Sequence, residues 1–249
     1  MRKFYITLAV TCLLALPAWA GEITVAAAAN LQFTLEEIKN IFEQETGIKV
    51  KTIIGSSGKL TTQIENGAPF DLFMSADEDY PRRLYKGGMT MGEPKVYAYG
   101  ILVLWSLNGV DLSKGLAVLN DSAVGKIAIA SPKAAPYGRQ AVNAMKHAQL
   151  YPGIASKLVY GENIAQVNQF VITQAADIGF TAKSIVLAAN MKGKGQWVEL
   201  DPQAYEPIAQ AVVVLNYAKP REAVVKKFYD FLFSPQAQEI FKQYGYALP

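Results

Sequence analysis

Short runs of apolar and β-branched residues alternate along the chain with stretches in which apolar residues recur every three or four positions. The pattern begins at 22–26, which predicts a strand, and continues with a helical stripe from Leu31 to Phe42 that Gly47 ends. Further strands are predicted at 48–54, 70–75, 96–105, 126–130, 157–160, 178–181 and 208–215. This alternation is typical of α/β proteins with mostly parallel sheets.

The intervening segments predict helices, and the whole pattern divides into two lobes. Helices are predicted at 59–66, 138–150, 164–173, 220–233 and 235–244, with another after the acidic residues 77–79. We expect two α/β lobes with the chain crossing between them twice. Residues 21–100 and 213–249 would form the first lobe, and residues 101–212 the second.

The first twenty residues have the pattern of a secretory signal. Arg2 and Lys3 precede an apolar run at 4–16, and Ala18-Trp19-Ala20 places small residues where a signal peptidase cleaves. We therefore expect cleavage after Ala20 and an exported chain that begins at Gly21. No later apolar run reaches the roughly 20 residues that a transmembrane helix needs.

Composition narrows the function classes. The chain has 249 residues, of which 51% are hydrophobic and 18% charged, as expected of a folded soluble protein. Its one cysteine, Cys12, would leave with the signal, although a lipid anchor on Cys12 is an alternative. Without Arg2 and Lys3, 22 basic residues face 21 acidic ones, which argues against nucleic-acid binding.

Four predicted strand-to-helix turns are candidates for a ligand site. In open α/β sheets, ligands bind at the carboxyl ends of strands, where helix N-termini attract anions. Each turn taken alone also fits ordinary helix capping. The four turns are Ala29-Asn30, Ser56-Ser57-Gly58, Pro136-Tyr137-Gly138 and Glu162-Asn163-Ile164.

Catalytic and metal sites are poorly supported by the sequence. Ser56 and Lys59 have a Ser-x-x-Lys spacing, but the partner motifs of the enzymes that use it are missing. His147 is the only histidine, so a zinc site lacks ligands, and we expect it on the surface. The acidic residues 77–79 lack the spacing of a calcium loop. We expect neither an enzyme, nor a cofactor, nor a bound free cation.

Four segments carry a resemblance to a known family. They are residues 23–30, 55–77, 135–138 and 227–241, and the most specific is Gly-Ala-Pro-Phe-Asp-Leu-Phe-Met-Ser-Ala-Asp at 67–77. On these residues the chain resembles the periplasmic molybdate-binding proteins of ABC importers. The resemblance implies a type II periplasmic-binding-protein clamshell that closes over one oxyanion. It also implies a periplasmic monomer that delivers molybdate or tungstate to a membrane permease.

The resemblance also implies which residues bind the oxyanion. They would be Ala29, Asn30, Ser57, Tyr137 and Ile164, with the first three in one lobe and the last two in the other. The better-known branch of the family has serine at position 30, alanine at position 137 and a tyrosine donor near 181–182. Asn30 and Tyr137 instead resemble a second branch, in which the phenol comes from the other side of the pocket.

A tetrahedral dianion accepts hydrogen bonds at every oxygen, so a suitable pocket presents only donors. Helix N-termini can supply the positive potential without lysine or arginine. Phosphate keeps a proton at neutral pH and needs an acceptor, so a donor-only pocket should reject it. Two alternatives stay open: a binding protein for another anion (sulfate, phosphate or a small carboxylate), and a secreted Ser-x-x-Lys hydrolase.

Overall fold

The computed structural model describes residues 21–249, and the predicted signal sequence with Cys12 lies outside them. Ten strands occur in the described residues. They are β1 (Glu22–Ala28), β2 (Lys49–Gly55), β3 (Leu72–Met74), β4 (Lys95–Gly100), β5 (Leu102–Ser106), β6 (Ile127–Ala130), β7 (Leu158–Gly161), β8 (Ile178–Ala182), β9 (Gln196–Glu199) and β10 (Ile208–Val214).

The same part of the chain contains nine α-helices and several short 3-10 segments. The helices are α1 (Gln32–Thr46), α2 (Ser57–Glu65), α3 (Asp79–Lys86), α4 (Pro136–His147), α5 (Tyr151–Ile154), α6 (Ile164–Ile172), α7 (Lys183–Val186), α8 (Glu222–Phe231) and α9 (Pro235–Gln243). The 3-10 segments are Ala29–Leu31, Leu112–Asn120, Ala155–Lys157, Pro202–Ala204 and Asn216–Arg221.

The strands form two five-stranded sheets, one for each lobe. The first has the order β2-β1-β3-β10-β4 and the second the order β7-β6-β8-β5-β9. In each sheet, four strands run in one direction, and a single strand, β10 or β5, runs against them. The predicted pair of α/β lobes with mostly parallel sheets is therefore confirmed.

The chain crosses between the lobes at Ile101 and again before β10. The single strand predicted at 96–105 is wrong, because β4 and β5 belong to different sheets. No turn residue separates them apart from Gly100, so the apolar pattern hides the change of sheet. On the return, residues 208–212 already pair with β4 in the first sheet. The lobe boundaries by residue number, with the second crossing at 212–213, stay a prediction.

The two faces of each sheet pack against different helices, because successive side chains of a strand point to opposite sides. In β1, Val25 and Ala27 pack with residues of α1, α8 and α9, whereas Ala26 packs with residues of α2 and α3. Leu104 and Trp105 of β5 likewise belong to separate clusters of the second lobe. The C-terminal helices thus complete the first lobe. Within residues 21–249, no helix is long and apolar enough to cross a membrane.

Candidate functional site

A small cavity lies between the lobes where the carboxyl ends of β1, β2, β6 and β7 meet. All five predicted site residues line it: Ala29, Asn30, Ser57, Tyr137 and Ile164. Its volume is about 10 Å³, as swept by the centre of a water-sized sphere. That space suits one compact ligand rather than an extended organic molecule.

The first lobe contributes the turns that follow β1 and β2. Ala29 and Asn30 lie in the 3-10 segment directly after β1, and Ser57 is the first residue of α2. The N–H groups of a helix's first turn have no partner within the helix. Asn30 and Ser57 are both buried, so their polar groups face other protein groups or the cavity rather than open solvent.

The second lobe contributes the N-termini of α4 and α6. Tyr137 is the second residue of α4, which begins two residues earlier than the helix predicted at 138–150, and Ile164 is the first residue of α6. A methyl group on Gly138 would overlap the Ala130 carbonyl oxygen at the end of β6. Only glycine therefore permits this close approach of α4 to the sheet, which places the helix N-terminus at the cavity.

Helix capping explains only one of the four turns. The Asn163 side chain caps α6 by accepting a hydrogen bond from the Gln166 N–H at 3.1 Å. No side chain caps α2 or α4, and Asn30 does not cap α1. The first-turn N–H groups of α2 and α4 therefore lack the usual side-chain acceptor, and the helix dipoles make this end of each helix positive.

The Ser57 hydroxyl is oriented by a buried hydrogen bond. Its oxygen accepts from the Ala76 N–H at 3.0 Å. Within residues 21–249 this hydroxyl donates no hydrogen bond, so its hydrogen is available to an acceptor in the cavity.

The Asn30 side chain is engaged inside the protein. Its Nδ2 donates to Gln210 Oε1 at 2.8 Å and to Tyr246 Oη at 3.0 Å. These two bonds use both amide hydrogens. The Asn30 amide N–H groups are therefore not available to a ligand in the cavity, and Asn30 can contribute its backbone N–H instead.

Tyr137 contributes a neutral phenol. Burial raises the pKa of Tyr137 well above that of an ordinary tyrosine, and nearby Tyr246 and Tyr97 add to the shift. The phenol therefore keeps its proton at neutral pH and remains a hydrogen-bond donor.

No charged side chain belongs to the described lining of the cavity. Lys59 pairs with Glu162 at 2.7 Å, and Arg139 pairs with Asp77, each across the cleft. Burial raises the pKa of Asp77, although hydrogen bonds and Arg139 act in the opposite direction. The cavity thus offers donors without a fixed charge.

The catalytic alternative finds no support in the geometry. The Lys59 ammonium lies in its ion pair with Glu162, and Ser56 Oγ is buried without a hydrogen-bond partner. Ser56 therefore has no base to activate it. His147 is exposed at the end of α4, as expected. No group of three or more metal-ligating side chains occurs within residues 21–249.

Sequence reasoning missed the polar residues behind the cavity, chiefly Gln210, Tyr97 and Tyr246. All three are buried and joined by hydrogen bonds through Asn30 and Gln210. A signal was available for Gln210, because it is the only polar residue in the apolar strand β10. A buried polar side chain in such a run needs a partner.

Two α/β lobes that enclose a small cavity at helix N-termini define the class of clamshell binding proteins. The family model for bacterial extracellular solute-binding proteins matches residues 23–247. The molybdate-binding protein ModA of Azotobacter vinelandii is 41% identical, over 95% of this chain and 94% of its own. ModA of Rhodobacter capsulatus is 39% identical, over 99% and 96%. A solved structure, the periplasmic molybdate-binding protein of Azotobacter vinelandii, superposes with a TM-score of 0.86 at 34% identity, over 91% and 99%.

The chain therefore belongs to the bacterial extracellular solute-binding protein family, among relatives that are molybdate-binding proteins. Family membership agrees with the expectation of an exported binding protein. It also agrees with the resemblance found in the four sequence segments.

Proposed function

We propose that this protein captures a tetrahedral oxyanion, molybdate and also tungstate, between its lobes and delivers it to the permease of an ABC importer. The observation that carries the proposal is the small, uncharged cavity at which Asn30, Ser57, Tyr137 and Ile164 meet. The names of the relatives support molybdate as the ligand.

The donor set suits a dianion whose oxygens are all acceptors. Backbone N–H groups of Ala29, Asn30, Ser57, Tyr137 and Ile164 would surround the anion, with the Ser57 hydroxyl among them. Helix dipoles supply the compensating potential, as at other anion sites built on helix N-termini. Hydrogen phosphate would bring its own proton into this donor-rich cavity and leave one contact repulsive.

Binding would couple to closure because both lobes contribute donors. An anion that bridges the lobes stabilises only the closed form, and the closed form would signal the bound anion to the permease.

The proposed role in an ABC importer is supported by a relative from Bacillus subtilis whose name is "Putative ABC transporter substrate-binding lipoprotein YvgL". We propose that the present chain is a periplasmic monomer, cleaved after Ala20, that acts by binding rather than catalysis and uses neither a cofactor nor nucleic acid.

Calorimetric titration of the anion-stripped protein with molybdate, tungstate, sulfate and phosphate tests the proposal. We expect molybdate and tungstate to bind at one site per chain, and sulfate and phosphate to bind at least a hundredfold more weakly. Stronger binding of sulfate or phosphate would assign the same cavity to another anion. No heat with any of the four anions would contradict the proposal.

A further inference from the structure

A chain of buried polar side chains joins the two lobes behind the cavity. Gln210 of β10 lies at its centre and is fully buried. Its Oε1 accepts from Asn30 Nδ2 at 2.8 Å and from Tyr97 Oη at 3.0 Å. Its Nε2 donates to Tyr137 Oη in the other lobe at 3.3 Å. Gln210 therefore connects residues of the first lobe to a phenol that lines the cavity.

The order of donors and acceptors in this hydrogen-bond network begins at the Asn30 backbone carbonyl, which can only accept. The backbone carbonyl of Asn30 accepts from Ser184 Oγ at 2.8 Å and from Tyr246 Oη at 3.0 Å. Tyr246 gives its hydrogen to this carbonyl, and its oxygen accepts from Asn30 Nδ2. The second Nδ2 hydrogen of Asn30 goes to Gln210 Oε1, which turns the Gln210 nitrogen toward Tyr137.

This order leaves the Tyr137 hydroxyl hydrogen without an acceptor among residues 21–249. The Tyr137 oxygen accepts from Gln210, and within residues 21–249 the Tyr137 hydroxyl donates no hydrogen bond. Burial raises the pKa of Tyr137, which keeps that hydrogen in place at neutral pH. Because Tyr137 is one of the residues that line the cavity, we assign an anion bound there as the acceptor of this hydrogen.

The backbone around Gln210 is shaped for this contact. The pairing of β10 with β4 shifts register between Gln210 and Ala211, and such bulges often redirect a side chain next to a site. A methyl group on Gly100, at the end of β4, would overlap the Tyr137 hydroxyl. Glycine at this crossing between the lobes leaves room for Tyr137 to reach Gln210.

We infer that Gln210 is a positioning residue that presents the Tyr137 hydroxyl to the ligand as a donor, so that the cavity selects a fully deprotonated oxyanion. The inference rests on the proposed function, since it requires an anion in the cavity. Molybdate offers only acceptors to the Tyr137 hydrogen. A protonated oxyanion would point its own hydrogen at the Tyr137 hydrogen, or would have to turn that hydrogen toward another donor of the cavity.

The first test is Gln210→Glu, which preserves size and the acceptor for Asn30 and Tyr97. Its second carboxylate oxygen can only accept, so Tyr137 would give its hydrogen to Glu and turn its oxygen toward the ligand. At mildly alkaline pH, molybdate and phosphate are both dianions, and the added charge weakens both alike. We expect molybdate affinity to fall about tenfold or more. We also expect the ratio of molybdate affinity to phosphate affinity to decrease.

Tyr137→Phe provides the matched variant, because it removes the hydroxyl and leaves the ring. We expect it to lower molybdate affinity about tenfold or more and to decrease the ratio of molybdate affinity to phosphate affinity. In the Tyr137→Phe background, Gln210→Glu should not change the ratio further, since no hydroxyl hydrogen remains to redirect. A merely structural role of Gln210 would give the same change in both backgrounds.

The affinities are measured by titration calorimetry, with phosphate in competition with molybdate and with circular dichroism to verify folding. An unchanged ratio in Gln210→Glu, or wild-type molybdate affinity in Tyr137→Phe, would overturn the inference. If Gln210→Glu does not fold, the molybdate affinity of Tyr137→Phe decides, and wild-type affinity in that variant would overturn the inference. Failure of the wild-type protein to bind molybdate would instead contradict the proposed function.

Discussion

Ser57 shows how one buried hydroxyl can be prepared for a ligand. The Ser57 oxygen accepts a hydrogen bond from the Ala76 N–H. The hydroxyl hydrogen of Ser57 is therefore left for a ligand in the cavity. A hydroxyl held in this way loses little conformational freedom when the anion binds, and its bond to a charged acceptor is stronger than one between neutral groups.

Replacing Ser57 by alanine should therefore weaken molybdate binding by about ten- to a hundredfold, as expected when a hydrogen bond to a charged group is lost. Titration calorimetry measures the change. Ser156→Ala is the matched control, because Ser156 is exposed in the 3-10 segment Ala155–Lys157, away from the cavity. Equal affinity of Ser57→Ala and Ser156→Ala would remove the Ser57 hydroxyl from the site.

At the scale of elements, the second sheet depends on a carboxylate that ties two strand starts together. Asp177, directly before β8, accepts from the N–H groups of Gly125 and Lys126 before β6, at 2.9 and 2.8 Å. Its partial burial would raise its pKa, but these hydrogen bonds and that of Asn108 outweigh burial and lower it. The stabilisation is thus present above the ordinary aspartate pKa and is lost as the pH falls through the lowered value.

Asp177→Asn should lower the free energy of unfolding by about 1 kcal/mol at neutral pH, because the charged acceptor is lost. The difference from wild type should shrink as the pH falls below the ordinary range of an aspartate, where the wild-type carboxyl also becomes protonated. Urea unfolding at several pH values measures it. Glu45→Gln, at an exposed residue, controls for charge removal, and a pH-independent difference for Asp177→Asn would contradict this explanation.

How much the sequence predicted also differs by element. Strands with strong apolar patterns, such as β1 and β8, were predicted nearly as they occur, because burial determines both pattern and structure. The exposed strand β9 carries no such pattern and was missed. The five cavity-lining residues came from a family resemblance, whereas Gln210 was missed, since its role depends on pairing across 180 residues with Asn30.

At the scale of the whole molecule, the structure is a closed clamshell. The Gly58 N–H donates to the Ala134 carbonyl at 2.8 Å, and Ser184 Oγ donates to the Asn30 carbonyl at 2.8 Å, each across the cleft. These contacts and the ion pairs Lys59–Glu162 and Arg139–Asp77 join the two lobes. Ligand affinity should therefore depend on residues that never touch the ligand.

The Lys59–Glu162 pair tests this dependence. Both side chains are about half exposed, at 54% and 50%, so the pair contributes modestly. Glu162→Gln should reduce molybdate affinity by less than tenfold, and the reduction should fade at high salt. Asp230→Asn is the matched control, because it removes a similarly exposed pair, with Lys226, at 57% and 64%, that lies within α8. An equal effect of both variants would show that closure does not involve Lys59 and Glu162.

The most direct test of the account is an anomalous difference map at the molybdenum absorption edge, from crystals of the protein grown with molybdate. We predict one strong peak per chain in the cavity between Asn30, Ser57, Tyr137 and Ile164, within hydrogen-bonding reach of their N–H groups through the anion's oxygens. A peak elsewhere, or none at saturating molybdate, would contradict the claim that this cavity binds the oxyanion.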